Sequence, residues 1–313
     1  MAKCLYCYEK LEPSDNDYHI QCIKKFYGTT DAPILPYTLD DMEMLAKQIV
    51  DLSISVPGVQ PKLSLGVIKN ALNDGHNGRL TIMGALEGLY ILKPQNALYE
   101  QMPENEHLSM KLAELFKIDV VPYNLIRLTS GELCYITKRI DRKADGSKIH
   151  MIDFLQILEL EDKYKGTSEL LGKTIGKLSL NSLQDKLRFF EITLFNFVIG
   201  NNDMHLKNFS MWLSDLGWVL SSAYDLLNVK IILPKDDEDL ALMLGGKKKN
   251  FNKDYFDKFG LLLDLNSKQL NFVYTNLIEW LPAAIVLIEK SFLNDKNKQQ
   301  YKAIITQRVS LLQ

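Results

Sequence analysis

The chain has 313 residues, 46% of them hydrophobic and 24% charged, with a formal net charge of −2. This is the make-up of a folded protein, long enough for two lobes at about 100–200 residues per domain, and it excludes a global charge field that would hold the chain on nucleic acid or a membrane. Four cysteines (Cys4, Cys7, Cys22, Cys134) make no dense disulfide framework, so a reducing cytoplasm is the expected setting.

The opening Met1-Ala2-Lys3-Cys4 has no apolar core of the signal-peptide kind. Residues 1–30 form a small Cys/His unit. Cys4-x-x-Cys7 and His19-x-x-Cys22, eleven residues apart, supply the ligand types of a structural Zn2+ site. The plainer reading of the same residues is a small hydrophobic cap with reduced thiols. Residues 31–37 carry two prolines and read as an extended linker. A helix is expected over 38–50, where Leu39, Met42, Leu45, Ala46 and Ile49 share a face.

Short strands follow at 62–68, 80–83 and 89–92, with a turn cluster at 73–78. Pro103 suits the first turn of a helix over 103–116. Residues 123–128 and 132–138 read as a hairpin around Ser130-Gly131. Beyond Asp145-Gly146 the pattern turns helical, at 152–160, 181–199, 268–290 and 298–312. One strand pair, 209–213 and 218–221, interrupts it. The expected fold is therefore α+β and two-lobed: a mixed α/β N-lobe over 31–140 and a mostly helical C-lobe over 141–313. The longest apolar run near the end, Leu281 to Ile288, falls short of the ~20 residues that span a membrane.

Phosphoryl transfer from ATP needs few parts: a loop over the phosphates, a lysine on them, a base near the acceptor hydroxyl and two side chains on Mg2+. Leu89-Tyr90-Ile91-Leu92-Lys93 is a short apolar strand ending in lysine, similar to the kinase pattern Val-Ala-Ile-Lys. Glu106, thirteen residues on, could orient Lys93, and Glu104 competes for that role. In Gly200-Asn201-Asn202-Asp203-Met204-His205-Leu206-Lys207-Asn208, Asp203 and Asn208 have the Asp-x-x-x-x-Asn spacing of a kinase catalytic loop. The carboxylate has to meet the hydroxyl while the amide reaches the metal behind the phosphates. A polar helix-ending loop would read the same way. Asp225, after the strand pair, stands where a kinase carries its second metal-binding aspartate. Asp-Leu-Leu replaces Asp-Phe-Gly there, and a helix N-cap is the plainer alternative.

Together these segments resemble the HipA kinase family over about residues 50–260. Ser55-Val56-Pro57-Gly58-Val59-Gln60-Pro61-Lys62 is similar to that family's Ser-x-x-Gly-x-Gln-x-Lys loop. Asn201 to Ser210 is similar to its catalytic loop, and Ala241-Leu242-Met243-Leu244-Gly245-Gly246-Lys247 to a late signature. The resemblance implies a protein-kinase-like fold, ATP and Mg2+ as cofactors, Asp203 as catalytic base and Asn208 and Asp225 as Mg2+ ligands. It implies that Lys93, oriented by Glu106, and the loop residues Ser55, Gly58, Gln60 and Lys62 bind the nucleotide. Lys138, at the segment after the adenine hinge, and His205 and Lys207, in the catalytic loop, join them. By its spacing His205 suits a brace for that loop better than a proton carrier.

Ser53 and Ser55 are the implied autophosphorylation sites. A phosphoserine there adds about −1.5 to −2 charge beside the ATP phosphates and would switch the enzyme off. The shortness of the chain resembles the HipT toxins of three-component systems, in which a small HipS-like protein and a DNA-binding HipB-like protein are the partners. Their substrate class is an aminoacyl-tRNA synthetase, tryptophanyl- or glutamyl-type. Contact with DNA would be indirect and none with membrane is expected. Lys247-Lys248-Lys249 reads as a solvated face, with a DNA or partner contact as the alternative. Two further readings stay open: a kinase-fold binding module in a repressor complex, and a small-molecule kinase.

Overall fold

The computed structural model describes residues 2–52, 62–68, 79–82, 88–143 and 145–313. The chain divides into two compact units, one of Met1–His107, Val121–Lys148 and Lys290–Phe292, the other of Leu108–Val120, Ile149–Glu289 and Leu293–Gln313.

The first unit is built on five antiparallel strands: β1 (Leu63–Ile68), β2 (Arg79–Ile82), β3 (Tyr90–Lys93), β4 (Tyr123–Arg127) and β5 (Leu133–Lys138). Their order is β2-β1-β3-β5-β4. The β4–β5 hairpin turns at Gly131, whose φ of 106° suits a residue without Cβ. β3 lies in the middle of the sheet, with Leu92 opposite Leu63 on one side and Ile136 on the other. The first residues of the chain do not stand apart from this sheet. Leu5, Leu11, Tyr18 and Phe26, the last in helix α1 (Ile20–Tyr27), share one core with Leu65, Leu92, Leu125 and Ile136. The Tyr18 hydroxyl donates to the Leu125 carbonyl at 2.5 Å. The proline-flanked linker is extended and tied down, its Ile34 carbonyl accepting from Leu80 N–H at 2.9 Å. Helix α2 (Leu39–Leu52) follows it, and α3 (Met102–Leu115) follows β3.

The second unit is helical, with α4 (Phe154–Ile157), α5 (Ser168–Leu178), α6 (Ser182–Ile199), α7 (Lys253–Leu262), α8 (Ser267–Lys290) and α9 (Asp295–Ser310). A small antiparallel sheet, β6-β7-β8 (Met151–Asp153, Ser210–Ser214, Gly217–Leu220), completes it. From Phe189 to Ile199 α6 is buried at every position but Glu191, which marks that half as a core helix. Phe189, Phe190, Phe195 and Phe197 are all buried, against Phe209, Phe259, Trp280 and Phe256 respectively. Truncating one such ring costs about 3–5 kcal/mol, so the C-terminal end of α6 is held firmly in place. Its start is fixed by Asp185, a buried carboxylate that accepts from Ser179 Oγ at 2.6 Å, Leu220 N–H at 2.7 Å and Arg188 Nη1 at 3.1 Å.

Two expectations change. Residues 152–160 do not form one helix. Met151–Asp153 pair with β7, and Asp153 then caps the single turn of α4 in a reciprocal bond with Gln156. Asp153 stands opposite Ser210, so pairing across the sheet overrides the local helical pattern. α8 is long and apolar enough to cross a membrane by length and composition, although no uninterrupted apolar run marks it. One stripe of it, Leu270, Val273, Tyr274, Leu277, Trp280 and Ala284, is buried within the unit, while Phe272 and Val286 on other faces are exposed.

Candidate active site

β3 delivers Lys93 to the end of a strand hydrogen-bonded on both sides, opposite Tyr135 of β5. Its Nζ lies 2.6 Å from Glu106 Oε1 of α3, and the two side chains are only 6% and 3% exposed. The Tyr135 ring lies 5.4 Å from the same Nζ. Desolvating two charges is costly, and a pair this buried is weak support for stability; its value lies in fixing where the ammonium points. Glu104, the competing carboxylate, is engaged elsewhere. Gln95 Nε2 donates to both its oxygens at 3.0 Å, and burial pushes its carboxyl above the usual range.

Lys138 closes β5 half-buried, its Nζ 5.5 Å from the Phe26 ring centre, and burial lowers its pKa. Just beyond it, burial raises the Asp141 carboxyl but Arg139, at 2.8 Å, and Arg142, at 2.5 Å, outweigh that and hold it below its ordinary value. Lys62 is exposed at the entry to β1. Ser53, Ser55, Gly58 and Gln60 lie outside the described residues.

In the second unit, α6 stops at Gly200, which has a φ of 77°. A Cβ there would lie 3.1 Å from Asn228 Oδ1 and from Lys230 Cγ, so both backbone and space call for glycine. The Gly200 carbonyl accepts from Val229 N–H at 3.0 Å. The loop that follows is held by side-chain hydrogen bonds, most of them to backbone. Asn201 donates to Asn196 Oδ1 at 2.7 Å and accepts from Asp203 N–H at 3.2 Å. Asn202 donates to the Glu238 carbonyl at 3.1 Å. Asn208, in a single 3-10 turn over Leu206–Asn208, donates its amide to the Asp203 carbonyl at 3.0 Å. That bond spaces Asp203 and Asn208 across one loop and commits the Asn208 amide nitrogen, leaving its oxygen as the atom of metal-ligand type.

The Asp203 carboxylate is 52% exposed. Its Oδ1 accepts from the Tyr164 hydroxyl at 2.7 Å, and His205 Nε2 lies 4.0 Å from the same oxygen. Tyr164 stands edge-on to the buried His205 ring, 5.3 Å between centres. Burial and the neighbouring Asp203 carboxylate push the Tyr164 phenol well above its ordinary value, so it stays protonated and donates. Lys207 is exposed on the same 3-10 turn.

Asp225 has a φ of 61°, uncommon for a residue with a side chain though least so for Asp and Asn. The segment ahead of it is pinned. Ala223 N–H donates to the Asp119 carbonyl at 2.8 Å, and the Tyr224 hydroxyl lies 2.6 Å from Ser210 Oγ and donates to the Lys207 carbonyl at 3.1 Å. Tyr224 thus fastens the Asp225 segment to the residues on either side of Asn208. No expected N-capped helix begins there. Asn208 and Asp225 offer an amide and a carboxylate oxygen, the hard donors that Mg2+ takes, usually one or two from protein beside substrate phosphates and water; the donor chemistry therefore fits this ion.

Tyr164 and Tyr224 were not among the residues the sequence singled out. Tyr164 lies in an irregular segment between Lys163 and Lys165, and only the fold shows which carboxylate it meets.

Residues 54–285 match the family of the HipA-like C-terminal domain. The chain belongs to that family. Among curated proteins it is 32% identical over 234 residues to Y4dM of Sinorhizobium fredii, which carries a provisional kinase name; the match covers 69% of this chain and 55% of Y4dM. It is 25% identical over 249 residues to the serine/threonine-protein kinase toxin HipA of Shewanella oneidensis, covering 72% of this chain and 54% of that protein. The chain thus spans about half the length of the curated relatives it matches. Among solved structures, the HipA of S. oneidensis MR-1, crystallised with HipB and its operator DNA, superposes with a TM-score of 0.65 at 19% identity, over 93% of this chain and 69% of that one. The Helicobacter pylori proinflammatory kinase CtkA follows with a TM-score of 0.55 at 12% identity, over 79% of this chain and 93% of CtkA. These likenesses show a kinase-like α+β fold.

Proposed function

We propose that this HipA-like chain is an ATP-dependent serine/threonine protein kinase that serves as the toxin of a toxin–antitoxin system, of the short HipT kind. The observation that carries this reading is the Asp203–Asn208 loop: an exposed carboxylate and a metal-type amide locked at fixed separation by the Asn208-to-Asp203 hydrogen bond of 3.0 Å. The buried Lys93–Glu106 pair supports it, since a lysine fixed at a strand end by a carboxylate is what phosphate recognition in kinases uses.

In the proposed reaction the oxygen of a substrate hydroxyl forms a bond to the γ-phosphorus as the bond to ADP breaks, and the hydroxyl proton passes to Asp203. Tyr164 occupies Oδ1, which leaves Oδ2 to take it. Lys93 neutralises phosphate charge, and Asn208 and Asp225 hold Mg2+. When bound, Mg2+ supplies charge neutralisation on the transferring phosphoryl group. His205 and Lys207 line the same loop, and Lys138, with the Ser55, Gly58, Gln60 and Lys62 segment, contributes to nucleotide binding.

The family resemblance extends the reading to a cytoplasmic enzyme that inhibits translation by modifying a tryptophanyl- or glutamyl-type aminoacyl-tRNA synthetase. Ser53 and Ser55 are its self-modification sites. A small HipS-like protein and a DNA-binding HipB-like protein restrain it. HipB and operator DNA accompany the S. oneidensis HipA in its crystal structure, which favours partners of this kind. The test is phosphopeptide mass spectrometry of wild type and Asp203→Gln after incubation with Mg-ATP and purified synthetases. Phosphate on a synthetase and on Ser53 or Ser55 in the wild type alone is the expected result. Label confined to small molecules, or absent, would overturn it.

A further inference from the structure

The four residues of the N-terminal Cys/His unit are drawn together by the fold. Cys4 Sγ, Cys7 Sγ, Cys22 Sγ and one ring nitrogen of His19 all lie within 4.8 Å of one another. No disulfide joins them. A tetrahedral ion with Zn–S about 2.3 Å and Zn–N about 2.0 Å puts its ligands about 3.5–3.8 Å apart. Cys7 Sγ and Cys22 Sγ stand 3.4 and 3.9 Å from His19 Nδ1. Cys4 is wholly buried, and the other three are partly so.

The backbone has the shape that a metal knuckle requires. Tyr8 N–H donates to the Cys4 carbonyl at 3.0 Å, closing a tight turn around Cys4-Leu5-Tyr6-Cys7. Tyr8 itself turns to a φ of 69°, a conformation L-residues seldom adopt. The second pair of ligands sits on the start of α1. His19 is its N-cap, and its carbonyl accepts from Cys22 N–H at 2.9 Å, so the two side chains project one turn apart. The other ring nitrogen of His19, Nε2, lies 3.0 Å from the Lys10 carbonyl. A carbonyl can only accept, so Nε2 carries the proton and Nδ1 presents a bare lone pair to the sulfurs. This outer bond to a carbonyl is the arrangement that orients metal-binding histidines.

We propose that Cys4, Cys7, His19 and Cys22 form a structural Zn2+ centre, and that the knuckle it closes braces the helix carrying Glu106. Binding releases the three thiol protons, and three thiolates against a dication leave the centre with one negative charge. Thiolate and imidazole donors with four positions filled suit a closed zinc site, which has no opening for water or substrate. The brace runs through Tyr8, the residue after Cys7. Its hydroxyl is hydrogen-bonded to His107 Nδ1 at 2.7 Å, and its ring lies 5.2 Å from the His107 ring. His107 is the neighbour of Glu106 in α3. On the other side of the knuckle α1 sets Phe26 against Tyr90 of β3, the strand that ends in Lys93, with ring centres 6.0 Å apart. Zinc therefore holds both elements that carry the buried ion pair. This inference does not rest on phosphoryl transfer, and its test reads metal and exchange rather than activity.

The full chain, expressed in zinc-supplemented medium, is analysed for metals beside Cys7→Ser and Cys22→Ser. Stoichiometric zinc in the wild type and a fall of at least about tenfold in both variants is the expected result. A wild type without zinc, or variants that retain it, would overturn the centre. Because the variants could misfold, cobalt is also exchanged into the wild type. An intense tetrahedral ligand-field spectrum with thiolate-to-cobalt charge transfer supports the assignment, and a weak six-coordinate spectrum refutes it. Hydrogen exchange of the wild type before and after chelation then reads the brace. Faster exchange over residues 102–107, with residues 182–199 unchanged, is expected. Unaltered protection of 102–107 in zinc-free protein would end the brace.

Discussion

Lys93 and Asp203 are fixed in different ways. Lys93 sits at the end of a central strand with its charge buried against Glu106 at 2.6 Å, so its position depends on packing and on one ionic partner. Asp203 is half exposed, on a loop anchored by the buried side chains of Met204 and Leu206, and its own position is set by hydrogen bonds with Asn201, Asn208 and Tyr164. In the proposed reaction a cation that only holds phosphate can be buried, whereas a carboxylate that meets an incoming hydroxyl needs an open face. The difference teaches that substitutions at the first site should be read in stability and at the second in rate.

The largest effect is expected at the exposed carboxylate. Asp203→Asn should lower phosphoryl transfer by about 10²–10⁴-fold, the usual worth of a positioned general base. Unfolding free energy should stay within about 0.5 kcal/mol, as for most surface changes; steady-state transfer and chemical denaturation measure the two. A large stability loss would break the contrast. Glu106→Ala leaves a buried ammonium without its carboxylate and should cost about 3–5 kcal/mol. The Lys93→Met, Glu106→Leu double variant should cost clearly less than the sum of the single ones, and a denaturation double-mutant cycle gives that coupling.

Tyr164→Phe removes one donor from Asp203 and should lower transfer about fivefold, corresponding to about 1 kcal/mol, with little change in melting temperature. An unchanged rate would mean that the backbone alone positions the carboxylate. The smallest effect concerns Glu191 in α6, whose carboxyl burial raises from 4.5 to about 6 despite Arg188 nearby. The folded state holds this proton more tightly than the unfolded one. The stability it contributes is full below pH 4.5 and is lost as pH rises through about 6. Glu191→Gln should therefore raise stability by about 2 kcal/mol at pH 7 and change nothing at pH 4, read as the difference in melting temperature at the two pH values.

The sequence displayed most where local chemistry and tertiary packing agree. The hairpin around Ser130-Gly131, the helix behind Pro103 and the apolar α6 all carry their signals in neighbouring residues. α5 and α7 did not stand out, because glycines weaken their helical pattern. Gly172 and Gly260 are there to admit Leu263 and Leu270, which a Cβ would strike at 2.1 and 2.3 Å. β6 has three residues and exists only through its pairing with β7. At the candidate site, spacing pointed to Asp203 and Asn208. It could not separate Glu104 from Glu106, which lie two residues apart and whose partners are set by Gln95 and Lys93. Tyr164 and Tyr224 are invisible to any local pattern, since each acts on a residue far along the chain.

Gly200 ends α6 and offers its carbonyl to the backbone of Val229 and Lys230. The loop bearing Asp203 is thereby tied at its root to a segment some thirty residues downstream. Neither can acquire its native form ahead of the other. During refolding, pulsed deuterium labelling should show the amides of Asp203 and Val229 becoming protected in one kinetic phase, after the interior of α6. A nascent chain would then carry its core helix well before it carried the ordered loop of Asp203.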